Sequence, residues 1–450
     1  GTAPLALASR PNVVVVITDD QGYGDFGATG NGAIETPHID ALARRSASMA
    51  TFYVSPVCSP TRASLMTGRY NYRTRVIDTY LGRSMMAPEE VTIAEVLRDA
   101  GYATGIFGKW HLGDNYPMRP QDQGFEEALV LRGGGLAQPS EPPENERRYT
   151  DPVLFRNGER VETKGYCTDV YFDHALDFIK RGAEASRPFF AYVATNAPHD
   201  PLHDVPKDLL ERYLEDERKK KLAELVVGGE ANAQRIDRLA RIAAMITNID
   251  ANVGRLMATL DELGIAEDTL VVFLCDNGPA GARYVGPFRG QKTQVHEGGV
   301  RSPLWLHWPR RLEAGLTRHQ PVAHIDLFPT ILEACGVAAP SGLRLDGRSF
   351  LGLLTGERET WPSRTLVLQT HRGDEPVRYH HFMIRDDRYK LLHASGFGRE
   401  RFDGEPRFEL YDLGEDPGET RDLAKDRPEI VARLKSSYDA WFDDVSTTRP

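Results

Sequence analysis

The sequence predicts an α/β protein with a mostly parallel central sheet flanked by helices, followed by a smaller C-terminal α+β domain with an antiparallel sheet. Three observations carry this. Continuous runs rich in Val, Ile and Phe recur through the first two thirds of the chain, stretches of helical periodicity lie between them, and beyond about Leu345 the apolar runs become short. With 450 residues, 40% of them hydrophobic, the chain can bury a large core, and the change of texture divides it at 1–345 and 346–450.

Strands are expected over 12–18, 103–108, 188–194, 269–274 and 304–308, each unbroken rather than alternating, as in a sheet covered on both faces. Between the first two, residues 58–69 read Cys-Ser-Pro-Thr-Arg-Ala-Ser-Leu-Met-Thr-Gly-Arg. Ser59 suits an N-cap and Pro60 the first helical position, which leaves Cys58 just outside a helix with Arg62 near its first turn. A helix N-terminus beside a fixed cation favours an anion, although the same pentapeptide also reads as a buried structural cysteine before a capped helix. Residues 92–100 place Ile93, Val96, Leu97 and Ala100 on one helical face, and 232–263 carry a long 3.6-residue pattern. Residues 132–151, rich in Gly, Pro and Glu, form a long loop placed to border a pocket. The basic run 218–221 reads as a solvated helical face. After residue 345, strands are expected over 364–369, 379–385 and 389–393, the last two joined by the turn Asp386-Asp387-Arg388, and a closing helix over 428–442.

Composition narrows the function. The net charge of -10 argues against a nucleic-acid binder, so an anionic ligand needs a local positive pocket. There is no run of about 18 apolar residues, hence no membrane-spanning helix. Cys58, Cys167, Cys275 and Cys335 are too widely spaced for a disulfide framework or a paired metal motif. A periplasmic or secreted location is the expectation, with the cytoplasm left open because no signal peptide is visible.

The residues that follow the strands carry the chemistry. Asp19 and Asp20 follow the first, Lys109, Trp110 and His111 the second, Asn196, Pro198 and His199 the third, and Asp276 and Asn277 the fourth. Open α/β sheets bind ligands at the carboxyl ends of their strands, so one crevice could gather all of these groups. Singly, each Asx pair also reads as a turn or helix cap and each histidine as a structural one. Three carboxylates and an amide are hard oxygen donors, which suit calcium better than magnesium and far better than zinc. Such an ion beside Arg62, Lys109 and Lys292 makes a local positive site fit for a sulfate or phosphate ester.

The runs Asp19-Asp20-Gln21-Gly22-Tyr23-Gly24-Asp25, Cys58-Ser59-Pro60-Thr61-Arg62, Gly108-Lys109-Trp110-His111-Leu112-Gly113, Ala197-Pro198-His199 and Asp276-Asn277-Gly278 strongly resemble the formylglycine-dependent type I sulfatases of the alkaline phosphatase superfamily. So do Phe288-Arg289-Gly290-Gln291-Lys292 and Glu297-Gly298-Gly299-Val300-Arg301-Ser302-Pro303, in family order. The resemblance implies an alkaline-phosphatase-like fold and a sulfuric ester hydrolase acting on a sulfated carbohydrate. An arylsulfatase on small substrates, a phosphodiesterase or phosphonate monoester hydrolase, and an inactive glycan-binding protein remain alternatives. It further implies that a formylglycine-generating enzyme oxidises Cys58 to an aldehyde whose hydrate attacks sulfur. One calcium ion would be held by Asp19, Asp20, Asp276 and Asn277, with Arg62 supporting the nucleophile and Lys109 and Lys292 on sulfate oxygens. His199 would protonate the leaving alcohol and His111 take a proton from the second hydroxyl. Cys275 reads as a buried small residue. His203, Asp200, Arg283 and His371 are further candidates for leaving-group contacts.

Overall fold

The computed structural model describes residues 10–136 and 138–447. In chain order its strands are β1 (Asn12–Thr18), β2 (Ala47–Met49), β3 (Phe52–Tyr53), β4 (Ala103–Lys109), β5 (Glu127–Leu131), β6 (Val153–Arg156), β7 (Glu159–Glu162), β8 (Phe189–Ala194), β9 (Thr269–Cys275), β10 (Leu304–His307), β11 (Thr317–Arg318), β12 (Val322–Ala323), β13 (Leu366–Gln369), β14 (Phe382–Arg385), β15 (Tyr389–His393) and β16 (Glu409–Asp412). Ten of them form one sheet in the order β11-β2-β10-β9-β1-β8-β4-β5-β6-β7, whose five central strands, β9 through β5, run parallel. β10 joins β9 antiparallel, and β6 and β7 close the other edge the same way.

Every residue from Val13 to Ile17 is fully buried, because helices cover both faces. Val14 and Val16 pack towards Tyr171, Ile246 and Ile39, from the Cys167–Glu184, Ala233–Glu262 and Pro37–Arg44 helices. Val13, Val15 and Ile17 face Leu65, Leu97 and Ile331 on the opposite side. Covering both faces is why the strands read as continuous apolar runs. Register then lines up their carboxyl ends: Thr18 lies against Cys275, Ile17 against Ala194, and Gly108 against Ala194.

The helix that opens at Cys58 differs from expectation. It spans Cys58–Thr67, its N-cap is Val57 in extended conformation, and no side chain caps it. Ser59 lies within the first turn, and Thr61 Oγ1 instead accepts from Ser55 N–H at 2.9 Å. Pro60 is tolerated there because the first N–H groups of a helix have no intrahelical partner. Cys58 therefore belongs to the first turn rather than standing outside it.

The C-terminal strands β13 to β16 form an antiparallel sheet covered by the Pro428–Thr447 helix. The strand expected over 379–385 begins only at Phe382, because Tyr379 and His381 take positive φ (61° and 47°) that no extended strand accommodates. Its core is shared: Phe382, Leu391, Leu434 and Tyr438 cluster with Tyr53, Tyr70, Val295 and Ile325 from the larger part of the chain. A buried ionic tie crosses the same boundary, Lys390 meeting Glu297 and Glu419 at 2.8 Å each. Among the described residues, no helix is long and apolar enough to cross a membrane.

Candidate active site

At the carboxyl end of the parallel strands, three buried carboxylates meet three cations one to one. Lys109 Nζ lies 2.6 Å from Asp19 Oδ2, Arg62 NH2 lies 2.8 Å from Asp276 Oδ2, and Lys292 Nζ lies 2.6 Å from Asp20 Oδ1. Arg62 also donates to the Lys109 carbonyl at 2.9 Å, and Asn277 Nδ2 donates to Asp20 Oδ1 at 2.9 Å. Asp20 N–H bonds Asp276 Oδ1 at 3.2 Å. The strand ends thus form one lattice, with Cys58 Sγ within 4.8 Å of ligand oxygens on Asp19 and Asp276.

Two acceptors in this lattice have no donor: Asp19 Oδ1 and Asn277 Oδ1 are buried and unpartnered. Buried acceptors without donors are costly unless a cation or water meets them. The carboxylates also repel one another. Burial, then Asp19, pushes the Asp276 carboxyl up to about 6, and burial raises Asp19 in spite of Lys109. Burial works against the Asp20 anion too, but Lys292, His199 and Lys109 outweigh it and hold this carboxyl below its usual range. A divalent cation relieves that repulsion and satisfies both oxygens, so Asp19, Asp20, Asp276 and Asn277 fit a hard ion. Because Arg62, Lys109 and Lys292 already balance the three carboxylates, an added ion leaves the site positive and ready for an anion.

Cys58 is only 2% exposed, and burial raises its thiol above the ordinary range despite Lys109 and Lys292. The unmodified side chain is therefore a protonated, weak nucleophile. Two histidines flank it. His111 Nε2 donates to the Thr79 carbonyl at 2.9 Å, which leaves Nδ1 as a lone pair, buried and without partner. Burial, then Lys109 and Arg62, hold its pKa well below normal. His199 Nδ1 donates to the Asp200 carbonyl at 2.6 Å, and its Nε2 lies 3.6 Å from Asp20 Oδ2. Burial and Lys292 push its pKa down to about 4. Asp20 and His111 both sit at φ near +60°, a conformation held by the surrounding contacts.

The 132–151 loop runs over both rings. A Cβ on Gly134 would stand 2.1 Å from His111 Cε1, so only glycine lets the backbone come this close there, and one on Gly135 would stand 3.1 Å from His199 Cε1, a tight contact. Cavities open on either side: about 500 Å³ beside His111, and about 830 Å³ beside His199, Asp200 and His203. His203 is exposed there, and Asp200 is paired with Arg238 at 2.9 Å.

Two candidate contacts lie elsewhere. Arg283 is buried and donates to both Asp25 oxygens (2.8 and 2.6 Å), to Asp20 O and to Ala280 O, which makes it a brace under the Asp20 loop with no reach to a leaving group. His371 is buried with both ring nitrogens occupied, by Arg372 O and Val377 N–H, so it has none left for substrate. Other features escaped the sequence reading. The Thr79 carbonyl is backbone and leaves no side-chain signal, whereas the run Gly133-Gly134-Gly135 was a signal for close approach that only the fold makes specific.

A family model described as "Sulfatase" matches residues 11–337, most of the chain. The chain belongs to the sulfatase family. A second model, "N-sulphoglucosamine sulphohydrolase, C-terminal", matches residues 289–441 of this sulfatase. N-acetylgalactosamine-6-sulfatase of Canis lupus familiaris is 33% identical over 80% of this chain and 69% of that one, and arylsulfatase A of Homo sapiens is 31% identical over 96% and 88%. A solved structure described as Ps i-CgsB in complex with k-i-k-neocarrahexaose superposes with a TM-score of 0.80 at 26% identity, covering 96% of this chain and 92% of that one. This is a type I sulfatase of the alkaline phosphatase superfamily, a sulfuric ester hydrolase.

Proposed function

We propose that this sulfatase removes sulfate from a sulfated carbohydrate, using a formylglycine formed from Cys58 and one calcium ion held by Asp19, Asp20, Asp276 and Asn277. The observation that carries the reading is the lattice itself: three balanced ion pairs, two unpartnered hard oxygens and a buried, protonated thiol meet at one point. Relatives described as N-acetylgalactosamine-6-sulfatase and a neighbour in complex with k-i-k-neocarrahexaose support the substrate class. The hard donors and irregular geometry favour calcium over magnesium.

Formylglycine at position 58, once hydrated, would supply paired hydroxyls on one carbon, one as nucleophile and one as the group that frees sulfate. Calcium supplies positive charge at the ester oxygens. The chain's own residues do the rest. Arg62, one helical turn beyond Cys58, steadies negative charge at the nucleophile. Lys109 and Lys292 each engage one carboxylate and keep further N–H donors for sulfate oxygens. His111 Nδ1, a bare lone pair, takes the proton from the second hydroxyl. His199 is neutral in the free site, and the charge of an arriving sulfate ester raises its pKa so that Nε2 carries a proton to the leaving alcohol. Because Cys58 is buried, a formylglycine-generating enzyme would act before the chain folds. Residues 1–345 would carry this chemistry and 346–450 would brace it.

Mass spectrometry of the Cys58 peptide, combined with rates on matched sulfate, phosphate and phosphonate esters, tests the proposal. Aldehyde in place of thiol, preference for sulfate, loss of activity on chelation and its return with calcium are expected. A full thiol in active protein, or preference for a phosphorus ester, overturns it.

A further inference from the structure

The cavity beside His111 has a wall unlike that of its neighbour. We propose that it is a subsite for a second, anionic sugar of an oligosaccharide substrate, with Arg132 binding that sugar's carboxylate or sulfate. The inference rests on the carbohydrate reading above and narrows it to chains that carry a negative group next to the sulfated residue.

Arg132 is half-buried on the cavity wall with its guanidinium 3.7 Å from the Phe155 ring centroid, and it makes no ion pair among the described residues. A guanidinium held against a ring keeps its edge N–H groups for other partners, and such a fork binds a planar carboxylate or a sulfate bidentately. Asp114 stands half-buried on the same wall, its two oxygens sharing the single Gly133 N–H at 3.2 and 3.0 Å. Asn115 is exposed beside them and suits hydroxyl groups.

Exposed tyrosines stand next to the cavity residues in sequence. Among the described residues only Tyr116, Tyr80 and Val227 are exposed large apolar side chains, and the two tyrosines, 76% and 40% exposed, follow Asn115 and Thr79. Asn115 lines the cavity, and the Thr79 carbonyl holds the cavity-wall His111. Sugars present hydroxyl edges and apolar faces together, which such a mixture of amide, guanidinium and exposed ring recognises. About 500 Å³ is ample for a pyranose, within the range of ordinary ligand sites. In the cavity beside His199, Arg238 is paired with Asp200 and Arg241 with Asp237, and the third cation, Arg147, is exposed rather than held against a ring.

The test compares wild type, Arg132→Gln and Arg132→Lys on 4-nitrophenyl sulfate and on sulfated trisaccharides whose neighbouring sugar bears a carboxylate, a second sulfate or neither. Isothermal titration of the same sugars into the Cys58→Ala protein reads binding without turnover. The expected result is at least tenfold tighter binding of the anionic trisaccharides than of the neutral one. Arg132→Gln should erase that preference and lower the ratio of trisaccharide to aryl sulfate kcat/KM at least tenfold, and Arg132→Lys should restore part of it. Equal binding of anionic and neutral sugars by wild type, or an unchanged ratio in Arg132→Gln, overturns the subsite while leaving carbohydrate hydrolysis intact. Turnover of aryl sulfate with no binding of any sulfated sugar overturns both readings. Melting temperatures within about 3 °C of wild type show that a loss is not unfolding.

Discussion

Most of the site can be read residue by residue because its members follow strands whose ends a parallel sheet must bring together. Asp19, Lys109, His199 and Asp276 meet as the sequence predicts, since each is tied to its position by the strand before it. Arg283 escapes such reading because its partner is far away in the chain, and His371 because backbone groups of its own loop, Arg372 O and Val377 N–H, occupy both ring nitrogens. Arg283 meets Asp25, 258 residues away in sequence. Two substitutions separate these cases. Cys58→Ala removes the nucleophile's precursor but only one small side chain, so turnover should fall below detection with a melting temperature close to wild type; a globally unfolded variant contradicts the catalytic assignment. Arg283→Met leaves Asp25 buried and unpaired, which costs about 3–5 kcal/mol in comparable buried pairs. Denaturant titration should therefore show a large loss of stability, and a stable variant with altered substrate preference would instead restore Arg283 as a substrate contact.

Elements are legible to the extent that local physics decides them. The long helix fills the 232–263 pattern and Asn232 caps it, its side chain accepting from Arg235 N–H at 2.9 Å, so Asn232→Ala should cost about 1 kcal/mol by thermal denaturation, with no change in activity. The Cys58 helix begins two residues before the start that Ser59 predicts, because extended Val57 and the Ser55–Thr61 hydrogen bond set its first turn instead. A less visible element is the strap that joins the C-terminal sheet to the site. His381 Nε2 donates to Thr293 O at 2.6 Å, its Nδ1 accepts from Gly396 N–H, and Thr293 N–H bonds Pro56 O at 2.8 Å. Thr293, a β-branched residue at φ 70°, is thus held between the Cys58 loop and the C-terminal sheet, next to Lys292. His381→Phe removes the donor and should lower kcat about tenfold with KM less affected, while His381→Gln, which keeps an N–H there, should recover most of it. Equal losses in both variants, tracking their stability, would mean that the strap only holds the fold.

At the scale of the whole molecule, the boundary between the parallel sheet and the antiparallel sheet of β13 to β16 does not separate two interiors. The apolar cluster of Tyr53, Val295, Phe382 and Tyr438 and the buried contact of Lys390 with Glu297 and Glu419 both cross it. Much of this shared interior is polar, and it makes folding depend on pH in a direction that can be worked out. Burial pushes His324 and His381 down to about 3 and His371 down to about 4, from an ordinary value of 6.5. Between pH 6.5 and about 4 the unfolded chain binds protons at these positions and the folded chain refuses them, so each histidine favours unfolding as the pH falls. Three buried acids away from the catalytic lattice act in the opposite sense: burial raises Glu90 to about 7, Asp250 to about 6 and Asp78 above its usual range, so there the folded chain holds protons that the unfolded one releases. The buried histidines act towards unfolding as the pH falls. His307, His380 and His393, also lowered by burial, add to the same side. Scanning calorimetry should show the melting temperature falling as pH is lowered from 6.5 to 5, and His324→Gln should flatten that slope by about one proton. A melting temperature that holds or rises across this window would mean that these rings are protonated in the folded chain.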